Sequence, residues 1–147
     1  MAFDRNSTAQ VGQLKVYIQA NSPGGRTFAN SDDVQMTVAM NAPSTNVVPR
    51  ANITATQVLK CIDAGEYASM SVARQNAWGM MMTVIAVEGV DPNDASLVAQ
   101  IASVWSGQAN TLAALGALRN KTATHAESVF GDGTALGYLD IAAARSA

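Results

Sequence analysis

The sequence predicts an all-α fold of about seven helices, with a short extended arm near residues 42–53. Three observations carry this expectation. Apolar residues recur at helical spacing through most of the chain. Capping and breaking residues punctuate it at short intervals. No alternating strand pattern competes, except weakly at 46–48.

Residues 1–7 are small and polar and read as a flexible N-terminus. Ser7 or Thr8 opens the first helix, and Val11, Leu14 and Ile18 share one face of it. Asn21-Ser22-Pro23-Gly24-Gly25 stops it, because proline lacks a donor and glycine accepts left-handed geometry. Asn30 or Ser31 caps a second, shorter helix, with Asp32 and Asp33 complementing the dipole of its first turn. Val34 and Val38 are its expected apolar face. Pro43 and Pro49 make a helix improbable over 43–53, which reads as an extended connector between the N-terminal helices and the main helical part.

Thr54-Ala55-Thr56-Gln57 has the form of a capping box, in which each end satisfies the other's backbone amide. Val58, Leu59 and Ile62 follow as an apolar face, and Asp63-Ala64-Gly65 closes the helix. The longest helix runs from about Val72 to Val87, with Val72, Trp78, Met81, Met82 and Ile85 on one side. Asp91-Pro92 reads as the next start, with Leu97, Ile101, Val104 and Trp105 buried. Leu112, Leu115 and Leu118 define another helix. Thr124-His125-Ala126-Glu127 is a second capping box, leading to Val129-Phe130 and a tight Gly131-Asp132-Gly133 turn. A final helix over about 137–145 buries Leu139 or Ile141. The expected organisation is one domain of 147 residues.

Charged residues make up only 14% of the chain, against about 25% in ordinary domains. A surface built from Ser, Thr, Asn, Gln and Ala is cheap to desolvate, because few charges must leave water. The net charge is −2 and the nine cations are scattered, so no basic stripe exists to neutralise phosphates. Nucleic acid is therefore not expected as the main partner. No apolar run is long enough to span a bilayer, and the first thirteen residues carry no signal-peptide core. Membrane association is not expected. The lone Cys61 excludes an internal disulfide framework and reads as a small buried hydrophobe.

Residues that could carry chemistry are few. His125 is the only histidine; Cys61 or one of the many serines would have to pair with it for nucleophilic chemistry, and nothing local suggests such a pair. Asp91, Asn93 and Asp94 begin like a calcium loop, but Ser96 stands where glycine is needed and Ala102 where a bidentate glutamate is needed. Asp32 and Asp33 are adjacent and so diverge on a helix, which makes a poor acid/base pair. Met80-Met81-Met82, with Met36, Met40 and Met70, reads first as core filling and second as an adaptable binding groove. Trp78 and Trp105 read as core anchors. No catalytic, cofactor-binding or metal-ligating residue is assigned, and no small-molecule substrate is expected.

The chain also resembles a group of small virion-associated proteins of tailed bacteriophages. The likeness rests on Pro23-Gly24, Phe28-Ala29 and Asn41-Ala42-Pro43 in the N-terminal part, and on Ile62-Asp63 with Glu66-Tyr67 in the middle. It rests most on Ala126-Glu127-x-x-Phe130-Gly131 near the end. The resemblance implies a non-enzymatic structural or accessory protein of the particle, made in the host bacterial cytoplasm and incorporated in the virion. Its partners would be copies of itself and other phage structural proteins. An assembly chaperone or regulator absent from the mature particle is the alternative.

Overall fold

A computed structural model describes residues 2–147. Among them the chain is mostly helical, with nine α-helices and one small antiparallel sheet of two strands. The all-α expectation of about seven helices is thus corrected in two respects: there are nine, one of them at Ala64–Ser69 where a helix end is expected, and two strands pair. Strand β1 (Pro43–Pro49) lies in the expected extended arm, but it pairs with β2 (Asn120–Thr124), where the sequence predicts no strand. The pairing is long-range and Asn120–Thr124 has little apolar alternation, so no local signal announces it.

The chain forms two compact units, 1–48 with 122–147, and 49–121. The boundaries fall inside the two strands, so the chain leaves the first unit along β1 and returns to it along β2.

The first unit holds α1 (Thr8–Asn21), α2 (Asp33–Met40), α8 (His125–Phe130) and α9 (Tyr138–Ser146). The Ser7 side chain caps α1 by accepting from the amide of Gln10, and Ser22 ends it in left-handed geometry. Asp32, one or two residues later than expected, caps α2 in a full capping box with Gln35. The core is Val11, Leu14 and Ile18 of α1 with Met36, Met40, Phe130 and Ile141. The expected face of α2 is reversed: Val34 and Val38 are exposed, while Met36, Ala39 and Met40 are buried. Both faces are apolar in sequence. The choice between them is made by α9 and α8, which pack on α2, and the methionines share one core cluster with Phe130 and Ile141 of those helices. Ile141 is buried and Leu139 is half exposed.

The segment 1–7 reads as flexible, yet residues 3–6 have partners; Met1 lies outside the described residues. Phe3 stacks edge-on against Phe130 at 5.1 Å, and Arg5 pairs with Asp140 at 3.3 Å. The C-terminal helix is tied down by Arg145, which bonds Asp33 at 2.7 Å and the carbonyls of Phe28 and Ser31, over the Phe28 ring.

The second unit holds α3 (Ala55–Leu59), α4 (Ala64–Ser69), α5 (Val72–Glu88), α6 (Ala95–Val104) and α7 (Ala109–Leu118). Its core is Ile53, Val58, Met70, Trp78, Ile85, Trp105 and Leu115. Trp78 meets Trp105 edge-to-face at 5.2 Å, so both tryptophans are core anchors as expected. The Thr54/Gln57 box forms. Two expected boundaries move. Asp63 does not close a helix but caps α4, accepting from the Glu66 amide. Asp91-Pro92 is a turn, and Asp94 caps α6 by accepting from the Leu97 amide at 2.9 Å. Cys61 is half-buried and its Leu59 neighbour is exposed, so only part of that apolar stretch faces the core.

Candidate functional site

Three places bring together the residues singled out above, and their geometry decides what each can do. The first is at the N-terminus of α7. That helix has no side-chain cap of its own, since Gln108 makes no capping bond. Glu66 of α4 supplies one from a distance: its carboxylate accepts from the amides of Asn110 and Thr111, both at 2.8 Å. Asp63 accepts from the Glu66 amide at 3.0 Å and from the Asn110 side chain at 3.3 Å. The amide hydrogen bond from Glu66 holds Asp63 below the usual carboxylate range. Desolvation pushes Glu66 up, but the amides of Thr111 and Asn110 outweigh it and hold it below as well. Two ionised, hydrogen-bonded carboxylates are poor general acids. They are a helix cap in trans, which no local pattern could announce.

The second place surrounds His125. Its Nδ1 lies 2.8 Å from the Tyr17 hydroxyl, and burial lowers its pKa. Ser128 donates to the Thr124 carbonyl at 2.9 Å, and Ser44 donates to the Ala123 carbonyl at 2.9 Å. The two serine oxygens are 3.0 Å apart. Each serine hydroxyl is thus spent on a backbone acceptor, and the array ties α1, β1 and α8 together. The capping box opening α8 forms as expected. Its glutamate is buried and bonds the amides of Thr124 and Gly133, both at 2.9 Å. The Ala126-Glu127-x-x-Phe130-Gly131 segment therefore has a structural explanation. Ala126 and Phe130 fill the core, Glu127 clamps the following turn, and Gly131 adopts φ +95°.

The third place is the outer side of α5. This helix is apolar nearly all round, a pattern that normally marks a helix covered on every side. Here only Trp78 and Ile85 are buried. Val72, Met80, Val84 and Val87 are exposed, Met80 by 75% and Val87 by 82%. The methionine run divides accordingly. Met36, Met40 and Met70 fill cores, as first expected, but Met80 does not, and Met81 and Met82 are half-buried. Three consecutive residues span about 200° of a helix and cannot all face inward.

Between α5 and α6 runs an open groove of about 510 Å³, floored by Ala77, Met81, Ile85, Leu97 and Val104, with Met80 and Val84 on its rim. Its polar lining is Gln100 and Ser103, both from α6. A small-molecule site of this size is fixed by a few convergent polar groups, and here only two polar side chains, both on one helix, are at hand. This groove is suited to apolar side chains instead, and flexible methionines let it adapt to them. Among the described residues no group of three or more metal-ligating side chains occurs, and no helix is long and apolar enough to cross a membrane. Compared with protein-family models, curated protein sequences and solved structures, the chain matches none.

Proposed function

We propose that the protein is a non-enzymatic structural or accessory component of a tailed-phage particle, acting through packing against copies of itself and other structural proteins. The observation that carries this reading is the outer face of α5, where Val72, Met80, Val84 and Val87 stand in solvent on a helix with apolar residues on every side. Leaving such side chains in water forgoes roughly 1.5–3 kcal/mol each relative to burial, so a covering partner is favoured. The low charge of the chain supports it, because a partner need desolvate few ions. The phage context rests on the resemblance in sequence. The particle is accordingly the proposed location, after synthesis in the host cytoplasm.

A second reading is an assembly chaperone or regulator that leaves before the particle matures. The methionine-lined groove favours it, since methionine surfaces suit transient and varied partners. Quantitative mass spectrometry of purified particles separates the two. Presence at a fixed ratio to the major capsid protein supports the structural role. Presence in assembly intermediates and absence from finished particles supports the chaperone. Absence from both overturns the phage reading.

A further inference from the structure

We propose that α5 pairs antiparallel with α5 of a second copy, about a two-fold axis passing near Met81. The proposal rests on the reading that this face packs against protein, and it names the partner.

The charges of α5 point to it. Within Val72–Glu88 only Arg74 and Glu88 are charged. Each sits at the wrong end of its own helix: a cation in the first turn and an anion in the last oppose the helix dipole. The Glu88 carboxylate has no hydrogen-bond or ion-pair partner among the described residues. Arg74 reaches along the α6 side to the Ser103 carbonyl at 3.3 Å, leaving most of its donors over. The two residues are about four helical turns apart, so they lie on nearly the same flank. An antiparallel pair centred at Met81 places Arg74 of each copy beside Glu88 of the other. It also places each glutamate at a helix N-terminus and each arginine at a C-terminus. Both unfavourable placements become favourable in one step, and the symmetry makes it happen twice.

The apolar residues fit the same register. Met80 and Met81 meet their own counterparts near the axis, Val84 meets Ala77, and Val87 meets Ala73. These side chains fill the groove between α5 and α6 of the opposite copy. The result is a four-helix arrangement of two α5–α6 hairpins. Seventeen residues make α5 about 25 Å long, and two packed helices present a face about 20 Å wide. Each copy thus covers about 500 Å², or about 1,000 Å² in total, the lower bound for a specific interface. Association in the micromolar range is expected.

Sedimentation velocity of the full chain from about 1 to about 100 µM tests this. A monomer–dimer equilibrium is expected. Arg74→Glu and Glu88→Arg each raise the dissociation constant about tenfold by placing like charges together, and the double variant restores it. Met80→Glu abolishes the dimer, and a mild substitution at so exposed a position leaves the far-UV CD spectrum of the monomer unchanged. A wild-type chain monomeric at about 100 µM overturns the pairing, whatever mass spectrometry of particles finds. A dimer insensitive to both single charge reversals, or one not restored by the double variant, overturns the register. A dimer insensitive to Met80→Glu places the contact on another face and overturns the proposal. A dimer in a chain absent from both finished particles and assembly intermediates would leave the pairing standing and defeat the phage role instead.

Discussion

Replacing Glu127 with alanine tests whether the segment most characteristic of this sequence is a structural clamp. The carboxylate is 5% exposed and accepts from the Thr124 and Gly133 amides at 2.9 Å each. Hydrogen bonds to a charged group contribute roughly 1.5–3 kcal/mol each, and both donors lose their acceptor in the alanine variant. Relief of the buried charge offsets part of that. The expected net loss is about 2–4 kcal/mol, or a fall in melting temperature of about 5–15 °C for a chain of this size. Glu127→Gln keeps one acceptor oxygen but turns an NH2 group toward the other amide, so a smaller loss of about 1–2 kcal/mol is expected. Urea unfolding followed by far-UV CD measures both, and amide hydrogen exchange at Thr124 and Gly133 shows whether the freed donors open. An alanine variant within about 0.5 kcal/mol of wild type, with both amides still protected, would refute the clamp.

Three further outcomes follow from the geometry. Gly89 ends α5 at φ +69°, and an added Cβ would meet the Ile53 carbonyl at 2.9 Å and the Asn52 side chain at 2.6 Å; Gly89→Ala is expected to cost about 2–4 kcal/mol in urea titrations and to weaken the Ile53–Val90 bridge. Glu66→Gln unpins α7, so the amides of Asn110 and Thr111 exchange faster while those of α5 do not; because Asp63 and Glu66 titrate below their ordinary range, the wild-type contribution is present at neutral pH and fades as pH falls below about 4.5, the ordinary value for glutamate. Burial lowers the pKa of His125 from its ordinary value of 6.5, so the unfolded chain takes up the proton first; stability is complete above that pH and declines as pH falls through it toward the folded value, and the decline should be smaller in His125→Asn when urea midpoints at pH 7.5 and 5 are compared.

The local punctuation of the chain was legible from sequence. The Ser7 cap, the Thr54/Gln57 and Thr124/Glu127 boxes and the stop at Ser22 all lie where their residues predict. So does the buried face of α1, because Val11, Leu14 and Ile18 recur at helical spacing, while Val16 of the same helix lies off that face and is exposed. The shifts at Asp63 and Asp94 are competitions between neighbouring cap formers, which differ by only about 1 kcal/mol. Candidate docking residues are partly legible: the methionine run stands out in the sequence, but core filling, its first reading, fails at Met80.

The sequence by itself determined where helices begin and end, since caps and turns are bonds between residues three or four positions apart. Tertiary structure decided what is covered. It paired Asn120–Thr124 with the 43–49 arm, chose Met36 and Met40 over Val34 and Val38, and brought Glu66 to cap α7. Each outcome depends on a neighbour distant in the chain, so periodicity alone carries no trace of it. The outer face of α5 belongs to the same class. Val72 is expected on the apolar side of α5 with Trp78 and Ile85, and only the packed fold shows that it stands in solvent while those two are buried.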